Sequence, residues 1–205
     1  GANMDPLRTT TRSGADCMSF LLHSCCGPCL GGSIDILKES VENARIDAFW
    51  NNPNIHPYIE YRSRMQSFIK LCADLQLQTR SSDNSYGLDY FLGRLNGKFG
   101  EGRCAECYRM RFEETAKAAV KYNYRAFTTT LLVSPYQNHD LIKEVGNKVA
   151  KEFGTEFYYC DFRPGFRKTH EVVREHELYK QKYCGCIFSE FSRYENDKRF
   201  CLPEI

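Results

Sequence analysis

Short apolar runs alternate with longer amphipathic stretches along this chain, and polar or glycine-rich turns separate them. Cys17 to His23 (CMSFLLH) is apolar and ends in polar residues, the pattern of a buried strand. From Gly31 to Val41, the side chains of Ile34, Leu37 and Val41 fall on one face of a helix. Arg45 to Trp50 reads as the next strand, closed by Asn51-Asn52-Pro53-Asn54. Pro57 then opens a helix to Leu75, with Tyr61, Met65, Phe68, Ile69 and Cys72 inward. Gly87, Gly93, Gly97, Gly100 and Gly102 break up the middle and leave room for a helix at Tyr90–Leu95. A helix of good period follows from Ala105 to Tyr122, turning Tyr108, Phe112, Ala116, Ala119 and Val120 inward. A strand at Ala126–Leu131, a helix at His139–Phe153, a strand at Glu156–Cys160 and a helix at Thr169–Gln181 complete the pattern.

This alternation predicts an α/β fold: a single domain with a mostly parallel, Rossmann-like sheet flanked by helices and a cysteine-bearing C-terminal segment. In such sheets the loops at the C-terminal strand ends gather at one edge, where ligands bind. Cys25–Cys29, Asn51–Asn54, Ser134–Gln137 and Asp161–Gly165 all follow predicted strands and should share that edge. The chain of 205 residues suits one domain, taken as 17–205. Residues 1–16 read as a loose N-terminus, with Gly1–Asn3 ahead of Met4 as a tag remnant. No apolar run reaches membrane-spanning length and the start has no signal-type apolar stretch, so a cytoplasmic protein is expected. A net charge of +2 announces no bulk polyanion partner, so nucleic-acid binding would have to rest on local patches.

Composition changes the picture at one residue type. Seven of the eleven cysteines lie in Cys25-Cys26-Gly-Pro-Cys29, Cys104-Ala-Glu-Cys107 and Cys184-Gly-Cys186. Their clustering and odd total point to metal-bound thiolates rather than a disulfide scaffold. Seven thiols exceed the four that one iron–sulfur cluster or one zinc uses, which implies a second metal or a redox dithiol. The first stretch joins a strand to a helix start, where unpaired N–H groups favour thiolate. The second puts two sulfurs on one side of a first helical turn, and the third suits metal ligation or a strained, reactive disulfide. Cys17, Cys72, Cys160 and Cys201 fit apolar faces or the tail and read as core. Arg103, Arg109 and Arg111 flank the second pair and suit either a solvated face, phosphate binding or compensation of cluster charge. Arg163 and Arg167-Lys168 add a basic rim, and Phe162, Phe166, Tyr136 and Tyr58 could stack on a base or fill the core. No histidine pair stands at metal-site spacing, and no nicotinamide or Walker fingerprint is present, so electrons should come from outside the chain.

His23-Ser-Cys-Cys-Gly-Pro-Cys29, Asn52-Pro-Asn-Ile-His-Pro57 with Glu60-Tyr61, Arg103-Cys-Ala-Glu-Cys-Tyr-Arg-Met-Arg111, Thr128-Thr-Thr-Leu-Leu-Val-Ser-Pro-Tyr-Gln137 and Tyr183-Cys-Gly-Cys186 together resemble the QueH-type epoxyqueuosine reductases, from about Phe20 to Ser189. The resemblance implies a cobalamin-independent oxidoreductase acting in queuosine biosynthesis. It would reduce epoxyqueuosine to queuosine at the wobble position of tRNA, with a [4Fe-4S] cluster and an additional mononuclear iron. On this reading a subset of Cys25, Cys26, Cys104 and Cys107 holds the cluster, and some of Cys29, Cys184 and Cys186 hold the neighbouring iron. Asp89, Tyr108, Asp161 and Glu106 are candidate proton donors. Asn52, Asn54 and Gln137 would read the base edge, while Arg109, Arg111 and Arg163 would hold phosphates of one flipped nucleotide. A reduced ferredoxin or flavodoxin would donate electrons. Two rivals stand beside this reading: a zinc module binding RNA or protein, and an iron–sulfur-dependent tRNA sulfur transferase. The second normally carries a phosphate-binding loop, which Gly31-Gly32-Ser33-Ile34-Asp35 does not match.

Overall fold

The computed structural model describes residues 18–82, 86–100 and 102–199. The expectations for residues 1–16, Cys17 and Cys201 therefore lie outside the described residues. Five strands form one sheet in the order β3-β2-β1-β4-β5, and every neighbouring pair is parallel. The strands are β1 (Ser19–His23), β2 (Arg45–Trp50), β3 (Thr79–Ser81), β4 (Ala126–Thr129) and β5 (Glu156–Phe157). The helices are α1 (Gly27–Ser40), α2 (Tyr58–Asp74), α3 (Leu88–Leu95), α4 (Arg103–Lys121), α5 (His139–Phe153), α6 (Phe166–Glu175) and α7 (Ile187–Tyr194). None of these helices is long and apolar enough to cross a membrane.

β1 is central, and Phe20, Leu21 and Leu22 have no exposed surface because helices cover both faces of a parallel sheet. β3 and β5 lie at the edges. Each edge strand pairs on one side only, which explains why β5 closes after Phe157 rather than running on to Cys160. The Thr-Arg-Ser of β3 carries no alternation, so nothing in the pattern marks it as a strand. β4 also stops short of Leu131. Thr129 Oγ1 accepts from the Leu131 amide at 3.2 Å and turns the chain into a short 3₁₀ segment, Thr130–Val133.

Two expected inward residues point out: Ile69 is 54% and Val120 46% exposed. On α2 the buried row runs Tyr61, Arg64, Phe68, Leu71, Cys72, and on α4 it runs Tyr108, Phe112, Thr115, Ala116, Ala119. Each exposed residue lies one step, about 100°, beyond its row. α6 ends at Glu175 rather than Gln181, because Glu177 takes a left-handed φ of 50° and releases the tail. That tail crosses the sheet edge before α7, a helix that the sequence pattern did not reveal.

α1 begins at Gly27, four residues ahead of the periodic stretch. The thiol of Cys26 caps it by accepting from the Cys29 amide at 3.3 Å, and Pro28 fits the first turn. This places Cys29 inside the helix. The loop after β5 packs so closely on α1 that a Cβ on Gly165 would sit 1.8 Å from the Gly32 carbonyl oxygen. Only glycine permits that contact, which brings the β5 loop to the same sheet edge as Cys25–Cys29.

Candidate metal centre

In this strand order the crossover direction reverses between β1 and β4, and the crevice beyond their C-terminal ends is the expected ligand position. The loop after β1 carries Cys25, Cys26 and Cys29. The loop after β4 begins at Thr130, whose Oγ1 accepts from the Cys25 amide at 3.1 Å and donates to Cys25 Sγ at 3.4 Å. Both sides of the switch point therefore meet at one sulfur.

The sulfurs of Cys25, Cys26 and Cys29 all lie within 4.8 Å of one another and all three residues are buried. Hydrogen bonds from the neighbouring Cys26 and Cys29 thiols hold the Cys25 thiol well below its ordinary range. Burial pushes Cys26 up, and the hydrogen bond to Cys25 pushes Cys29 up. One thiolate thus suppresses the other two: three negative sulfurs at this distance repel unless a cation lies among them. A metal supplies that cation, and an all-sulfur donor set fits iron–sulfur or zinc chemistry. Gln181 Nε2 donates to Cys29 Sγ at 3.3 Å from the tail.

A second group of thiols sits beside the first. Cys107, buried in the second turn of α4, is pushed up to about 12 by burial and also feels Cys184 and Cys186. Cys186 packs with Cys107, Met110, Phe91 and Leu95. Cys104, one turn earlier, is exposed, so burial separates the two residues of that motif. The Cys184-Gly185-Cys186 segment is strapped down. Arg64 donates to the Tyr183 and Cys184 carbonyls, each at 2.9 Å, and the His56 amide donates to the Gly185 carbonyl at 2.8 Å. Gly185 adopts φ of +149°, and its Cα side faces Asn54 Nδ2, which a Cβ would approach to 3.2 Å. Gln137 Nε2 donates to Cys184 Sγ at 3.4 Å, while its Oε1 accepts from Tyr108 Oη at 2.6 Å.

A cavity of about 240 Å³ opens over these sulfurs, with Cys25, Cys29 and Cys184 in its wall. Arg64, Lys180 and Lys182 also line it, and no carboxylate does. At its lip, Tyr136 is 85% exposed and meets Phe166 edge-on, with ring centres 6.0 Å apart.

Several residues expected to touch substrate have other duties. Asn52 is buried, donates to the Ser24 carbonyl at 2.8 Å and accepts from Arg111 Nη2 at 3.0 Å, so its amide locks the β2 loop to the site. Asn54 is buried beneath Gly185, with its Oδ1 unpartnered. Arg109 is ion-paired to Glu113 and Glu152 on the flank of α4, at 2.9 and 2.6 Å. Arg163 pairs with Asp161 at 2.6 Å, and this arginine holds the Asp161 carboxyl down at about 2. Asp161 is therefore a poor proton source near neutrality; neither it nor Tyr108 lines the cavity, although Gln137, which accepts from Tyr108 Oη, does. Asp89 is exposed in the first turn of α3, and Glu106 pairs with Arg94 at 2.6 Å. Tyr108 is buried, and burial pushes its hydroxyl up, with the charges of Cys104, Cys184 and Cys107 adding to this. Arg111 is buried against the thiols rather than facing solvent. Arg64, Lys180, Gln181 and Lys182 escaped the sequence reading. Arg64 alone left a signal, as a charge within the apolar row of α2.

The family model described as "Epoxyqueuosine reductase QueH" matches residues 20–192. A curated protein of Dehalococcoides mccartyi with the same description is 33% identical over 175 residues, 85% of this chain and 94% of its own length. One from Thermotoga maritima, likewise named Epoxyqueuosine reductase QueH, is 32% identical over 86% of this chain and 93% of its own. Among solved structures, the U34-tRNA thiolase NcsA from Methanococcus maripaludis with its [4Fe-4S] cluster matches at TM-score 0.41 and 12% identity, over 91% of this chain and 82% of that one. A likeness that loose has no bearing on function.

Proposed function

The chain belongs to the QueH family of epoxyqueuosine reductases, and on that premise we propose that it reduces epoxyqueuosine in tRNA to queuosine. The reaction takes two electrons and two protons, converts the ring epoxide to an alkene and releases water. The observation that carries this reading is the convergence of Cys25, Cys26 and Cys29 at the switch point, on a cavity whose wall includes Cys184. When bound, an iron–sulfur cluster would supply electrons singly and an adjacent iron would serve as a Lewis acid toward the epoxide oxygen. Cys25, Cys26 and Cys29 would hold one part of this metal and Cys107, Cys184 and Cys186 the other, with Cys104 at the exposed edge. This grouping differs from the expectation that the cluster draws on Cys25, Cys26, Cys104 and Cys107 and the iron on Cys29, Cys184 and Cys186. A reduced ferredoxin- or flavodoxin-type protein donates the electrons.

The chain's own residues bind, orient and protonate. Tyr136 offers its exposed ring to the base, braced by Phe166, and Lys180 and Lys182 take the flanking phosphates. The absence of any carboxylate from the lining suits a polyanionic substrate. Of the candidate acids, Tyr108 is the one beside the thiols, and its raised pKa keeps the proton on Oη until the opening epoxide demands it. Gln137, held by Tyr108, keeps an N–H on Cys184 Sγ.

Anaerobic incubation of the iron-loaded chain with dithionite and epoxyqueuosine-containing tRNA, with nucleosides read by mass spectrometry, tests the proposal. Queuosine should replace epoxyqueuosine. A fully iron-loaded sample that converts none, or a colourless sample holding stoichiometric zinc, overturns it.

A further inference from the structure

Arg111 is 1% exposed, and among the described residues no carboxylate lies within ion-pairing distance of it. Its Nη2 donates to Asn52 Oδ1 at 3.0 Å, its Nε to His23 Nε2 at 3.3 Å, and its Nη1 approaches Cys107 Sγ at 3.9 Å. Asn52 is neutral. His23 carries no negative charge in either protonation state. A guanidinium cannot shed its proton, so a buried one without a counter-ion is costly.

Arg64, the other fully buried arginine of the site, makes the contrast. It pairs with buried Glu60 at 2.6 Å and spends its remaining donors on the Tyr183 and Cys184 carbonyls. Its charge is neutralised within the protein part of the fold. The charge of Arg111 is not.

Arg111 also adjoins both thiol groups: its Nη1 approaches Cys107 Sγ on α4, and its Nη2 reaches, through Asn52, the Ser24 carbonyl beside Cys25.

We propose that Arg111 is the fixed counter-charge of the thiolate-bound metal centre and raises that centre's reduction potential. Adding an electron makes a thiolate-ligated cluster more negative, and a positive charge a few ångströms away stabilises the reduced form more than the oxidised one. No proton or bond moves at Arg111. It acts through the sulfurs and is a positioning residue, not a catalytic one. This inference rests on the reading that the thiols hold an iron–sulfur cluster, but its readouts need no tRNA.

The experiment compares full-length wild type, R111K and R111M, each reconstituted anaerobically and also stripped with a chelator. At a common solution poise, iron-loaded R111M should show a reduced-to-oxidised ratio about tenfold lower than wild type, equivalent to ~59 mV for one electron. R111K, which keeps the charge, should stay within roughly threefold. Loaded R111M with the wild-type potential overturns the proposal. The metal-free chains decide independently of loading: R111M should lower the unfolding temperature of the stripped chain by less than that of the loaded chain, because only the loaded centre carries the full thiolate charge. An equal or larger drop in the stripped chain assigns Arg111 to packing and overturns the proposal. Failure of the reductase reading would show separately, as absent iron or unconverted tRNA.

Discussion

Arg64 Nη1 donates to the Cys184 carbonyl oxygen at 2.9 Å, joining residues 120 apart in sequence. Arg64 is the strap that brings the tail cysteines to the sheet edge, and buried Glu60 holds the strap at 2.6 Å. Tyr179 Oη from the tail also donates to Glu60, so the carboxylate serves both elements.

Replacing Arg64 with Met should therefore cost stability and site geometry together. Removing one partner of a buried pair costs about 3–5 kcal/mol, mainly because the other charge is left unpaired. The double variant Glu60→Gln/Arg64→Met should recover roughly half of that loss in urea unfolding. Both variants should lose iron, because Cys184 and Cys186 are no longer tethered. Equal stability of the single and double variants would show that Glu60 is not the strained partner.

Cysteine substitutions should divide by position. Cys25→Ser should strip most of the iron per chain, measured after anaerobic reconstitution. Cys72, buried in α2 with its thiol pushed up to about 12 by burial, should be dispensable for metal. Cys72→Ala should keep full iron at a cost of about 1 kcal/mol of stability for the lost apolar volume.

Proton supply separates the candidate acids. Tyr108→Phe removes an acid bonded to Gln137 beside Cys184 and should lower the rate of queuosine formation by roughly 10²–10⁴, with iron content and tRNA affinity retained. Asp161→Asn and Asp89→Asn should leave the rate within about twofold, since Asp161 is tied to Arg163 and Asp89 faces solvent. A slow Asp161→Asn variant with a normal Tyr108→Phe would reverse the assignment.

Stability should fall on acidification through His56. This ring has no exposed surface, and burial lowers its pKa from 6.5 to about 4. Its Nε2 contacts the Pro53 carbonyl at 2.9 Å, while Nδ1 has no partner to accept a second proton's charge. The folded pKa lies below the unfolded one, so the unfolded chain binds the proton first. The contribution is fully present above pH 6.5 and is lost as pH falls toward 4. Between pH 7 and pH 5 the loss is about 2 kcal/mol. His56→Gln should flatten the urea-unfolding stability over that interval by a comparable amount, and an unchanged slope would place the titration elsewhere.

The alternation of apolar runs and amphipathic stretches determined the α/β class and the central strands. β1, β2 and β4 are short and apolar, and α2, α4 and α5 have clear periods, so local pattern and final environment agree. The three cysteine motifs were equally legible, because clustered thiols at turns have few other uses. Elements without a burial pattern were not: β3 is three polar-rich residues on an edge, and α7 buries none of its residues fully. Which thiols are neighbours was decided only by the tertiary structure. Cys29 joins Cys25 and Cys26 because α1 begins at Gly27. Cys107 packs with Cys186 because the tail is strapped across the edge by Arg64, and Cys104 and Cys184 both keep exposed surface. The same packing moved Arg111 and Asn52 from an imagined substrate surface to the buried wall between the thiol groups. Sequence spacing fixes which residues share a helical turn, but desolvation, and the partners a buried charge must find, depend on elements more than a hundred residues away.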